Sequence, residues 1–99
     1  MKQAAALGRI RRAIREERYR ISRHAWDEMD EDDLTSDDLE CIILGGRVLQ
    51  RFTEDPRGTR YEVAGRTLND RRAGVVCRFV GGVMLIITAY AVEEREWIQ

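Results

Sequence analysis

Apolar residues recur at helical spacing up to Ile43 and at strand spacing from Val48 onward, with Gly45 and Gly46 between the two regimes. From Ala4 to about Glu17, the positions Leu7, Ile10 and Ile14, flanked by Ala6 and Ala13, predict an amphipathic helix with Arg9, Arg12 and Glu16 facing away. Tyr19, Arg20 and Ile21 read as a short extended link or strand. Ser22 is a good N-cap for a second helix running to about Asp32, with Ile21 and Trp26 spaced as a hydrophobic staple. On that helix Ala25 and Met29 form the apolar stripe, and His24 and Glu28 lie one turn apart on the neighbouring face. The acids from Asp30 to Asp33 crowd its end, where the macrodipole disfavours them, so the helix should stop there. Thr35 and Asp38 have capping-box spacing for a third helix, Leu34 can staple onto Leu39, and Leu39, Ile42 and Ile43 give its buried side.

The rest reads as an antiparallel meander of four strands. Val48–Thr53 and Arg60–Arg66 are joined by an Asp55-Pro56-Arg57-Gly58 turn, with proline preset for the second position. Ala73–Val80 and Val83–Val92 are joined by Gly81-Gly82, a two-residue loop of the kind that type I′ hairpins favour. The tail, residues 93–99, is expected to add a helical turn that docks Trp97 and Ile98. The fold class expected is therefore α+β, with N-terminal helices on one face of a four-stranded antiparallel sheet and the other face open as the place for a site.

Composition narrows this picture modestly. Ninety-nine residues at 43% hydrophobic content suit a single domain over 1–99: an amphipathic helix (1–18), a core (19–92) and the tail. No apolar run is long enough for a membrane span or a signal-peptide core, which predicts a cytoplasmic protein. Cys41 and Cys77 lack metal-ligand or CxxC spacing and read as reduced, buried thiols. The net charge of −1 conceals blocks: eight basic residues in 1–24, then nine acids and no base in 25–40. Such asymmetry predicts a basic and an acidic surface on one small domain.

The segments Ile21-Ser22-Arg23-His24-Ala25-Trp26-Asp27-Glu28-Met29, Thr35 with Asp38-Leu39, Gly45-Gly46-Arg47-Val48, Asp55-Pro56-Arg57-Gly58 with Arg60-Tyr61, and Ile87-Thr88-Ala89-Tyr90 together resemble the bacterial family known as the domain of unknown function 4258. The likeness runs from Tyr19 to about Val92. It implies a RelE-like fold similar to the RelE-type and BrnT-type toxins, many of which cut RNA without a metal, and an antitoxin partner carrying a zinc-finger or DNA-binding domain. One departure stands out: where many members carry arginine one and two turns after the histidine, this chain has Glu28 and Asp32, which repel phosphate.

A metal-independent ribonuclease needs a base for the 2′-hydroxyl, an acid for the leaving oxygen, and cations for the phosphate. His24 is the candidate base or acid, and Glu28 would favour its protonated form and orient the ring. Arg60, Arg66 and Arg78 are candidate phosphate ligands, and Tyr90, with Thr88 on the same strand face, is a candidate hydrogen-bonding or stacking group. The expected catalytic set is thus His24, Glu28, Arg60, Arg78 and Tyr90, with no cofactor and no metal. Each has a structural alternative: a histidine bonded to a carbonyl, a rim tyrosine, arginines in surface ion pairs, and an acid run that is a solvated face. The matching functional alternative is a non-catalytic module that self-associates or binds an antitoxin-like partner through the basic first helix and the acidic helix pair. A DNA-binding role is disfavoured by the near-zero net charge.

Overall fold

The structure is a computed structural model and describes residues 2–92. Its elements in chain order are α1 (Lys2–Arg15), β1 (Tyr19–Ile21), α2 (Arg23–Glu31), α3 (Ser36–Gly45), β2 (Arg47–Phe52), β3 (Arg60–Arg66), β4 (Arg72–Val80) and β5 (Val83–Ala91). The expected docked tail falls outside the described residues.

Local chemistry accounts for the helix boundaries. Ser22 Oγ accepts a hydrogen bond from the Ala25 amide at 3.1 Å and caps α2. Thr35 and Asp38 form the reciprocal capping box of α3, each side chain taking the other's backbone amide. α2 ends within its acid run at a C-cap on Asp32, and the Arg71 guanidinium supplies the missing positive charge by donating to the Asp32 carbonyl at 2.8 Å. Leu34 and Leu39 are both buried, as their staple requires, whereas Trp26 is 48% exposed, so the α2 staple does not bury its ring.

The sheet corrects the expectation of four antiparallel strands. It has five strands in the order β1-β5-β4-β3-β2, and it is mixed, because β1 runs parallel to β5 with Tyr19, Arg20 and Ile21 opposite Met84, Leu85 and Ile86. The three-residue link becomes a strand because the first half of β5 needs a partner on that side, a pairing that no local pattern announces. The Gly58 amide closes the Asp55 turn at 3.0 Å, and both glycines of the β4–β5 loop have positive φ, as a type I′ turn demands.

The helices pack on one sheet face. Ile10, Ile14, Ala25, Met29, Leu39, Ile42 and Ile43 meet Val63, Val75, Cys77, Met84, Ile86 and Ala89 in one core. Arg11 ties α1 to the end of α3 by donating to the Gly46 carbonyl at 2.7 Å. Cys77 is buried and its thiol is pushed up to about 12 by that burial, while Cys41 is only half-buried; both are free. Among the described residues no helix is long and apolar enough to cross a membrane.

Candidate functional site

Strand alternation sends Arg60, Glu62, Ala64 and Arg66 of β3, and Arg72, Gly74, Val76 and Arg78 of β4, to the face away from the core. Tyr90 and Thr88 join them from β5, since Tyr90 pairs with Gly74 and Thr88 with Val76. Three of the five expected catalytic residues, Arg60, Arg78 and Tyr90, therefore share the open face.

Two polar clusters organise that face. One step beyond the Tyr61–Cys77 pair, Arg60 and Arg78 stand side by side, and both reach the Asp55 carboxylate, at 3.2 and 3.5 Å. Arg57 joins the same carboxylate at 3.2 Å from within the turn. Hydrogen bonds from the Arg57 backbone and side chain, reinforced by the charges of Arg57 and Arg60, hold the Asp55 carboxyl below the usual range, so it is an anion. One carboxylate has about four acceptor positions and each guanidinium five donors, so the cluster keeps spare donors and a net positive charge. Phe52 supports it from β2, with the Arg60 guanidinium 4.9 Å from its ring centroid.

In the second cluster the Tyr90 ring lies flat across Gly74, where any Cβ would overlap it, and its hydroxyl donates to Glu62 at 2.5 Å. Burial, together with the Glu62 carboxylate, pushes the phenol up to about 12. Tyr90 is thus a neutral hydrogen-bond donor at ordinary pH and no base.

His24 and Glu28 are placed elsewhere. His24 Nε2 lies 3.3 Å from Glu28 Oε2, as their spacing predicts, but on α2 with the His24 side chain 68% exposed. Among the described residues no recorded contact links His24 to Arg60, Arg78 or Tyr90. The other oxygen of Glu28 accepts the Ala89 amide at 3.2 Å, and one turn later Asp32 Oδ2 accepts the Ala91 amide at 2.9 Å. β1 covers β5 only as far as Ile86, so these carboxylates take over the edge where the partner strand ends. The two residues that depart from the family pattern are therefore ligands of backbone amides.

Sequence reasoning missed Asp55 and Glu62, the two carboxylates that position the open-face cations and phenol. Asp55 has a ready local explanation as the first residue of its turn, and Glu62 looks like any polar position of a half-exposed strand. Only the strand register makes either a hub. Among the described residues no group of three or more His, Cys, Asp or Glu side chains is placed to hold a metal.

No curated protein and no solved structure matches the chain. The segment that builds this geometry, from the β1–α2 junction through β5, coincides with a family match: residues 21–91 fit the model for Domain of unknown function (DUF4258), and the chain belongs to that family.

Proposed function

We propose that this chain is a toxin-like protein of the RelE/BrnT-type fold that engages RNA on its open sheet face, in a type II toxin–antitoxin setting in the cytoplasm. The reading rests on one observation: Arg60 and Arg78 lie side by side beside Tyr90 on the face the helices leave uncovered, while the acid run lies on α2 and α3. In this proposal the arginines take the phosphate, exchanging part of their contact with Asp55 for it, and Tyr90 donates to a phosphate oxygen or packs on a base. His24, exposed on α2, is the group that exchanges a proton with the 2′-hydroxyl or the leaving 5′-oxygen.

Binding and cleavage are separable in the test. Purified protein is titrated with a single-stranded RNA and transcript ends are mapped after expression without a partner. Arg60→Ala is expected to weaken RNA binding by about tenfold, the loss of one charge-assisted phosphate contact. His24→Ala is expected to abolish cleavage while binding persists. Absence of both toxicity and cleavage in the unmodified protein removes the ribonuclease reading.

A second reading, the non-catalytic binding module, is favoured by the fact that the polar groups of the expected site already serve one another: Asp55 holds the arginines, Glu62 holds Tyr90, and Glu28 holds an amide. Its partner is antitoxin-like or a second copy. The basic first helix then supplies Arg12 and Arg15, since Arg11 is occupied with α3. Partner binding that is insensitive to salt and to reversal of Arg12 and Arg15 would count against it.

A further inference from the structure

The sheet ends on β2, whose neighbour among the described residues is β3 alone. An edge strand turns alternate N–H and C=O groups outward, a ready template for a further strand. Arg47, Leu49, Gln50 and Arg51 of β2 are exposed, and neither Arg47 nor Arg51 makes an ion pair among the described residues. The open face carries two shallow grooves along this strand. One, of about 310 Å³, is bounded by Arg47, Leu49, Arg66 and Tyr90; the other, of about 420 Å³, by Arg51, Phe52 and Arg60. An added strand would find backbone partners at the edge and pockets for alternate side chains beside it, the two requirements of recognition by strand addition.

Charge decides between occupants. A second copy pairing antiparallel about Leu49 would set Arg47 against Arg51 in both halves, and like charges directly opposite destabilise a ladder. A neutral or basic segment gains nothing from the two unpaired guanidiniums. We infer that the β2 edge docks an extended, acidic segment of another protein by strand addition, with carboxylates opposite Arg47 and Arg51 and an apolar residue against Leu49. A nucleic acid lacks the main-chain donors and acceptors that continue a ladder, so RNA on the open face and a peptide at the edge are distinct events.

The test uses the full chain and a synthetic peptide alternating glutamate and valine, with a lysine–valine peptide, an oligouridylate and a glutamate–valine peptide N-methylated at every second residue as controls. Binding is followed by titration and by residue-resolved amide exchange. The acidic peptide is expected to bind, to slow exchange within residues 47–52, and to weaken as salt is raised. The double reversal Arg47→Glu/Arg51→Glu is expected to weaken it by about tenfold or more and to transfer preference to the lysine peptide. The N-methylated peptide, unable to complete a ladder, is expected to bind no better than the lysine peptide. The inference is overturned if acidic and basic peptides bind alike or if protection appears away from β2. It is equally overturned if the oligouridylate protects the same amides, or if they become protected on raising protein concentration alone. None of these outcomes depends on whether the protein cleaves RNA.

Discussion

Along the second half of β5 the outward amides of Ala89 and Ala91 are held by Glu28 and Asp32, whereas along β2 the outward edge carries only arginines, a glutamine and an exposed leucine. The geometry behind the first arrangement is simple. Four residues of α-helix advance about 6 Å. Two residues of strand advance about 6.8 Å. Side chains at i and i+4 of a helix lying along a strand edge therefore meet every second edge amide, and acceptors at those positions end the ladder without another strand. The β2 edge has no helix beside it, and only a register shift between Val48 and Gln50 and its two arginines discourage a further strand. One edge is closed by hydrogen bonds; the other is guarded by charge, which an oppositely charged segment can overcome.

The largest expected effect lies at the base of the β2 side. A side chain at Gly65 would overlap the Ile42 carbonyl oxygen of α3, a backbone atom with little freedom to retreat. Gly65→Val is expected to cost about 3 kcal/mol or more in urea unfolding, since overpacking against backbone is relieved only by moving an element. A cost below about 1 kcal/mol would mean that α3 is not seated on β3 as described.

Next come the clamps of β5. Glu28→Ala and Asp32→Ala each leave an edge amide without its acceptor, expected to cost about 1–3 kcal/mol, toward the lower end where water reaches the amide. Exchange of the Ala89 amide should accelerate in the first variant and that of Ala91 in the second. Glu28→Gln, which keeps an acceptor oxygen, is expected to recover part of the loss. Equal exchange in all variants would break the comparison, because both edges would then be open.

pH sharpens it further. Burial alone would raise the Asp38 carboxyl, but the Thr35 and Leu68 amides and the Thr35 hydroxyl outweigh it and leave it below its ordinary 3.8. A carboxyl depressed on folding stabilises the native state above its unfolded value, and that contribution is lost as pH falls through the folded one. Stability should therefore drop below about pH 4, and the drop should shrink in Asp38→Asn, which itself is expected to cost about 1 kcal/mol at neutral pH through the weakened cap. At the alkaline end Tyr19 and Tyr90, both pushed up to about 12, hold their protons longer folded than unfolded. Their contribution is complete below about pH 10 and is lost as pH rises toward 12, which an ultraviolet tyrosinate titration beside the unfolding curve will show.

The smallest effect is at the free edge itself. Arg47→Ala and Arg51→Ala should each change stability by no more than about 0.5 kcal/mol, because neither side chain makes an ion pair among the described residues. A larger loss would mean that the edge is not free.

What the sequence determined by itself is whatever depends on neighbours a few residues apart: the caps at Ser22 and Thr35–Asp38, the end of α2 in its acid run, the turns at Asp55–Gly58 and Gly81–Gly82, and the alternation that puts Arg60, Arg78 and Tyr90 on an outer face. The same spacing rules placed Glu28 beside His24, and they meet. Four features were decided only by tertiary structure. The parallel seat of β1 on β5, the service of Glu28 and Asp32 to the Ala89 and Ala91 amides, the gathering of Arg60 and Arg78 on Asp55, and the separation of His24 from the open face all join residues distant in the chain. A carboxylate one turn from a histidine looks the same in sequence whether it faces solvent, a phosphate or a strand. It became an amide acceptor because β1 stops at Ile21, leaving the rest of β5's edge unsatisfied within reach of α2.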